Sequence, residues 1–125
     1  MGNKLKKDIC VISYPDYKDT EIYMKAIEQL KDLNHSFTEL DLDAFDTDFN
    51  NYTHGKSFND NNIISVGGDG TALKGMYISY LADSALLPLG SGDIGYLVNT
   101  DKRKHQKLIK SLTDNNYESI LSNRT

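Results

Sequence analysis

The chain lacks most of what would tie it to a nucleic acid, a membrane or an oxidising compartment. Lysine and arginine number 14 against 18 aspartates and glutamates, a net charge of −4. That balance argues against a nucleic-acid or anionic-membrane partner, either of which needs a basic surface. No apolar run approaches the roughly 20 residues of a membrane span. Met1 to Lys7 contains no apolar stretch of signal-peptide length. Gly2 stands where myristoylation requires it, but the sixth residue is Lys6 rather than Ser or Thr. With one cysteine, Cys10, the chain forms no internal disulfide. Cys10 lies in an apolar run and reads as a buried, reduced thiol, and a reducing cytoplasm is the expected compartment.

Several familiar chemistries are missing as well. His35, His54 and His105 share no metal-binding spacing, and His105 reads as a packing residue or a partly buried edge on a helix face. The acidic run Asp41, Asp43, Asp46, Asp48 invites a calcium reading. An EF-hand, however, needs an oxygen ligand where Phe45 stands, then a Gly and a Glu that are absent. A solvated loop is the expectation there. There is no Gly-Lys-Ser/Thr phosphate loop and no Gly-x-Gly-x-x-Gly dinucleotide fingerprint. No internal repeat or low-complexity tract stands out beyond the Asp/Asn-rich stretch.

What is present reads as one α/β domain of 125 residues. Asp8 to Tyr14 is a short apolar run, a central buried strand stopped by Pro15 and Asp16. The period from about Lys18 to Leu33 predicts a helix, with Ile22, Ala26, Ile27, Leu30 and Leu33 on one face and a Glu21–Lys25 pair outside. Ser36 to Leu42 predicts a second strand with Phe37, Leu40 and Leu42 as its apolar members. Residues 43–62 read as a long loop, functional or mobile. Its aromatics Phe45, Phe49, Tyr52 and Phe58 either fold back on the core or form a partner surface.

Ile63 to Val66 is the third predicted strand. Thr71 to Ala82 is an amphipathic helix with Leu73, Met76, Tyr77, Tyr80 and Leu81 at i, i+3, i+4, i+7, i+8. Ala85 to Leu89 follows as a strand and Gly90 to Gly95 as a second glycine-rich turn. Asp101 to Thr113 is a helix with His105, Leu108, Ile109 and Leu112 on one side, and Tyr117 to Leu121 a last strand. Strands alternating with helices predict a single three-layer domain with a mostly parallel sheet of four to five strands. Both glycine turns then lie at the carboxyl edge of the sheet, where open α/β sheets bind ligands.

The most informative stretch is Val66-Gly67-Gly68-Asp69-Gly70-Thr71. Three glycines in four positions strip side chains from a strand-to-helix turn, so a ligand can approach the backbone. The backbone N–H groups and the helix N-terminus suit a phosphate. Asp69 is a candidate base or Mg²⁺ anchor, or a helix cap. Thr71 either caps the helix or bonds a phosphate oxygen. Lys74, one turn in, is close enough to reach a phosphate, or is a surface lysine.

This turn resembles the signature of the NAD kinase / diacylglycerol kinase / phosphofructokinase superfamily, and nearly the whole chain is similar to the N-terminal domain of NAD kinase. Gly67-Gly-Asp-Gly-Thr-Ala-Leu73 is similar to that family's Gly-Gly-Asp-Gly-Thr-Leu-Leu. Gly92-Asp-Ile-Gly-Tyr-Leu97 resembles its Gly-x-Leu-Gly-Phe-Leu/Tyr. Lys107 to Leu112, with Tyr117-Glu-Ser-Ile120, resembles its last helix and strand before a domain boundary. The resemblance implies that Asp69 contacts the ribose 2′-hydroxyl of NAD and acts as base. Gly67, Gly68, Gly70 and Thr71 would form the nucleotide turn, with Gly92 in the second motif and Tyr96 packing on the adenine side. It further implies ATP as phosphoryl donor and Mg²⁺ to offset the developing charge.

Pro88-Leu-Gly-Ser-Gly-Asp93 lacks the Asn or His that NAD kinases carry before their Leu-Gly-Phe. It is more similar to the Pro-Leu-Gly-Thr-Gly-Asn-Asp of diacylglycerol and sphingosine kinases. Those continue Phe-Ala-Arg, which this chain does not. The family also has an all-β domain after this point that helps to hold NAD, and the 125 residues reach only to where it would start. The expectations are therefore an NAD kinase-like domain binding ATP or NAD(P), alone, as a homo-oligomer or with a protein supplying the second domain; a non-catalytic binding or inhibitor module that docks on a protein; or a lipid-kinase fragment.

Overall fold

In a computed structural model, residues 8–47, 62–82, 84–90 and 100–114 are described. Four strands, β1 (Ile9–Ser13), β2 (Phe37–Asp41), β3 (Asn62–Val66) and β4 (Leu86–Leu89), form one sheet in the order β2-β1-β3-β4. Every pairing is parallel, with Val11 opposite Glu39 and Ile64, and Ile64 opposite Leu87. β1, β3 and β4 are buried along their whole length. That is why they read as continuous apolar runs, while the outlying β2 leaves Thr38 and Glu39 exposed.

Helices cover both faces. On one, α1 (Glu21–Asp32) and α4 (Lys102–Thr113) pack Ile22, Ala26, Leu30, Leu108, Ile109 and Leu112 against Ile9, Val11, Ile64, Val66, Leu87 and Leu89. On the other, α2 (Leu42–Thr47) and α3 (Asp69–Ala82) cover Cys10, Ile12, Leu40, Ile63 and Leu86. Topology accounts for the split. The chain steps from β1 outward to β2 and from β3 outward to β4 in opposite directions, so keeping one crossover hand puts α1 and α3 on opposite faces. Burial of Cys10 pushes its thiol up to about 11, which leaves it inert at neutral pH.

The first four predicted strands and the three long helices stand, with boundaries shifted by a few residues. α1 starts at Glu21 because the Thr20 hydroxyl accepts from the Tyr23 N–H. It ends in a Schellman motif, with Asn34 at φ 57° and the His35 and Asn34 N–H groups donating to the Leu30 and Lys31 carbonyls. The Glu21–Lys25 pair forms at 3.1 Å. Asp101 caps α4, on which His105 is buried as a packing residue.

Two expectations are corrected. The stretch after residue 42 begins as a helix, α2, because Asp41 Oδ1 accepts from the Asp43 N–H at 2.8 Å and Leu42 and Phe45, at i and i+3, are buried. The apolar stripe of α3 faces away from the sheet: Leu73, Met76, Tyr77, Tyr80 and Leu81 are 57, 45, 44, 81 and 40% exposed. Its inner side is Thr71, Ala72, Gly75 and Ile78. Phe49, Tyr52 and Phe58, most of the second glycine turn, and the last predicted strand lie outside the described residues.

Candidate functional site: the glycine turn at the switch point

Because β1 leads to β2 on one side and β3 leads to β4 on the other, the carboxyl ends of β1 and β3 lie side by side where the winding reverses. Open α/β sheets have their ligand crevice at that point. Gly67 to Thr71 follows β3 there, next to Tyr14 after β1.

The turn is tight. The Gly67 N–H still donates to the Leu89 carbonyl at 3.0 Å, extending the sheet ladder by one residue. The Gly68 carbonyl already accepts from the Ala72 N–H at 3.0 Å, the first bond of α3. Gly68 is therefore the N-cap and Asp69, Gly70 and Thr71 form the first helical turn, whose N–H groups have no carbonyl four residues back within the helix. A Cβ at Gly67 would lie 2.5 Å from Thr71 Oγ1 and 2.8 Å from Thr71 Cβ, so a side chain is excluded. At Gly68 and Gly70 a Cβ would meet nothing within 4 Å. The three glycines thus divide the work: Gly67 closes the turn from inside, while Gly68 and Gly70 leave its outer surface bare.

Asp69 is half-buried at the first position of α3, where the helix dipole favours a carboxylate. Thr71 is buried, with its side chain packed against Gly67. Lys74 points toward α2: its Nζ lies 2.5 Å from Asp46 Oδ1 and 6.0 Å from the centre of the Phe45 ring. The Tyr14 hydroxyl donates to Asp46 Oδ2 at 2.8 Å. Lys74, with Tyr14, holds the Asp46 carboxyl below its ordinary range. Asp46, in turn, pushes the Tyr14 phenol up to about 12. A phosphate at the turn would have to draw Lys74 away from Asp46. Gly92 and Tyr96 lie outside the described residues.

Two features had no reading in the sequence. Gly75 brings α3 close to the sheet: a Cβ there would lie 2.9 Å from Leu86 Cδ1 and 3.3 Å from Ser65 Cβ. Its only signal was a lone glycine inside a helical period. On the opposite face, the Tyr23 hydroxyl donates to Glu39 Oε1 beside the buried Ser13 Oγ, which itself makes no well-aligned hydrogen bond. Burial and Glu39 push the Tyr23 phenol upward. That cluster spans α1 and the sheet and carries no glycine-turn residue.

A groove of about 800 Å³ runs between α1 and α4, rimmed by Glu21, Lys25, Arg103 and Lys107. None of the turn residues line it. Among the described residues, no three His, Cys, Asp or Glu side chains come together as a metal site. No helix among them is long and apolar enough to cross a membrane. In comparisons with known proteins, the chain matches no family model and no curated protein.

Proposed function

We propose that this chain is an NAD kinase-like nucleotide-binding domain that takes ATP or NAD(P) at the Gly67–Thr71 turn. The observation that carries the reading is the turn itself: a strand-to-helix junction at the switch point, closed internally by Gly67 and bare outside at Gly68 and Gly70. Phosphate oxygens accept from the first-turn N–H groups of α3 and gain from its dipole. Asp69, partly exposed on the same turn, accepts the proton of the ribose 2′-hydroxyl as that oxygen attacks the γ-phosphate. The 2′-oxygen–phosphorus bond forms, the bond from the γ-phosphorus to the bridging oxygen breaks, and ADP leaves.

Mg²⁺, when bound, offsets charge on the phosphates. With no three-ligand cluster among the described residues, Asp69 is the carboxylate at the turn that could hold it, the other ligands coming from phosphate and water.

Titration of ATP, NAD⁺ and NADP⁺ into the wild type and Asp69→Ala tests the binding half. A chain incubated with ATP, Mg²⁺ and NAD⁺ and assayed for NADP⁺ tests the chemical half. Saturable nucleotide binding weakened by Asp69→Ala is expected, and any turnover should fall by about 10²–10⁴-fold in that variant. Absence of both product and Asp69-sensitive binding defeats the proposal.

A further inference from the structure

We infer that the outward stripe of α3 is a homodimer interface, in which the α3 helices of two copies pack antiparallel about a two-fold axis near Tyr77. Leu73, Met76, Tyr77, Tyr80 and Leu81 form a continuous band over more than two turns. A helix apolar on both its inner and outer sides is one built to be covered on both. At these fractional exposures the five side chains together expose on the order of 500 Å². That is near the top of the range for the largest patch on a soluble monomer and a large part of the roughly 800 Å² each partner gives to a stable interface. Tyrosine and methionine are the residue types enriched at such interfaces.

The occupant is a second copy because the band is self-complementary. Beyond Asp69, Lys74 is the only charged residue of α3, and it is already paired with Asp46 in its own chain. The face therefore offers no charge for an oppositely charged partner to read, and two copies meeting there set no like charges against each other. The orientation follows from Asp69. Parallel helices at the usual 8–10 Å separation would bring the two Asp69 carboxylates and the two positive helix ends together. Antiparallel helices centred on Tyr77 place the two Asp69 positions about 24 Å apart along the axis, at 1.5 Å per residue, far beyond the screening length of roughly 8 Å in physiological salt. In that arrangement Leu73 meets the second copy's Tyr80 and Leu81, one turn from Gly70, so each copy walls the bare side of the other's glycine turn. The pairing does not depend on the nucleotide reading.

Sedimentation velocity of the full chain from micromolar to millimolar concentration tests it. A concentration-dependent dimer is expected, with Tyr80→Glu and Met76→Lys both monomeric and their circular dichroism unchanged. Orientation is read by oxidation with copper phenanthroline, since the native Cys10 is buried. Tyr77→Cys should cross-link to itself. Leu73→Cys should not, because its copies stand about 12 Å apart along the axis, beyond disulfide reach. Leu73→Cys mixed with Leu81→Cys should cross-link. A monomeric wild type, or a dimer unmoved by either stripe variant, overturns the interface. A self-linked Leu73→Cys overturns the antiparallel arrangement.

Discussion

The two helical layers cover the same sheet with opposite kinds of residue. On one face, α1 and α4 press Leu30, Ile22, Leu108 and Ile109 inward and turn their charges to water. On the other, α3 presses Ala72, Gly75 and Ile78 inward and turns two leucines, a methionine and two tyrosines outward. The difference begins at the helix starts. α1 and α4 start from side-chain caps, Thr20 and Asp101. α3 starts two residues after β3, with Gly67 still on the sheet ladder. A helix launched that tightly lies close to the strands, so its inner side must be small. The close approach that makes the glycine turn usable is also what sends the large residues outward.

The sharpest way to break this contrast is to truncate a leucine on each side. Leu30 on α1 is fully buried, and Leu30→Ala should cost about 2–5 kcal/mol through lost burial and the cavity left behind. Leu73 on α3 is 57% exposed, and Leu73→Ala in dilute, monomeric chain should lie within about 0.5 kcal/mol of wild type. Urea unfolding of both variants measures the difference. Equal losses would mean that the α3 stripe is part of the monomer's core.

A smaller and more local contrast lies within the turn. Gly67→Ala drives a methyl into Thr71 and should destabilise by about 1–3 kcal/mol, as overpacking does. Gly70→Ala places the same methyl in open space on the first turn of α3, where the loss of unfolded-chain entropy should stabilise by about 0.5 kcal/mol. Opposite signs at two glycines three residues apart, read by thermal unfolding, support a closed inner side and an open outer one. A matching sign at both sinks that division.

The legible parts of this fold were those in which burial leaves a direct local pattern, either a continuous apolar run or a helical stripe. Val11, Ile64 and Leu87 sit in strands buried on both faces, and the Leu30 and Ile109 faces follow helical period, so local pattern sufficed. The direction of α3 was not legible, because periodicity locates a stripe without saying which side meets the sheet. Gly75, which decides it, acts by what it lacks. α2 was hidden by composition: a six-residue helix among aspartates is held by Asp41 and by the burial of Leu42 and Phe45, and the second of these depends on tertiary contacts. The glycines placed Asp69 in a strand-to-helix turn, but the helix was read from Thr71, whereas it takes in Asp69 as its first residue. The Lys74–Asp46–Tyr14 chain was not legible, since its members come from α3, α2 and the residue after β1, up to 60 residues apart in sequence.

That chain sets the smallest effect and the one most sensitive to pH. Lys74 and Asp46 are 40 and 35% exposed at their side chains, so solvent screens the pair, and Lys74→Ala should cost no more than about 1 kcal/mol at neutral pH. Its sign with pH is definite. Asp46 is held below its ordinary value in the fold, chiefly by Lys74. Its contribution is therefore full above the unfolded carboxylate value of 3.8 and lost as pH falls through the lower folded value. Tyr14 behaves in the opposite sense. Its phenol is raised from 10 to about 12, so the stability it adds is complete below pH 10 and disappears as pH rises toward 12. Lys74→Ala should accordingly flatten the acid limb of a stability–pH profile. Tyr14→Phe should flatten the part of the alkaline limb between pH 10 and 12. If Lys74→Ala leaves the acid limb unchanged, Lys74 is not tied to Asp46 in solution and is free to serve the glycine turn. The side of α3 on which Lys74 works is then the glycine turn rather than α2.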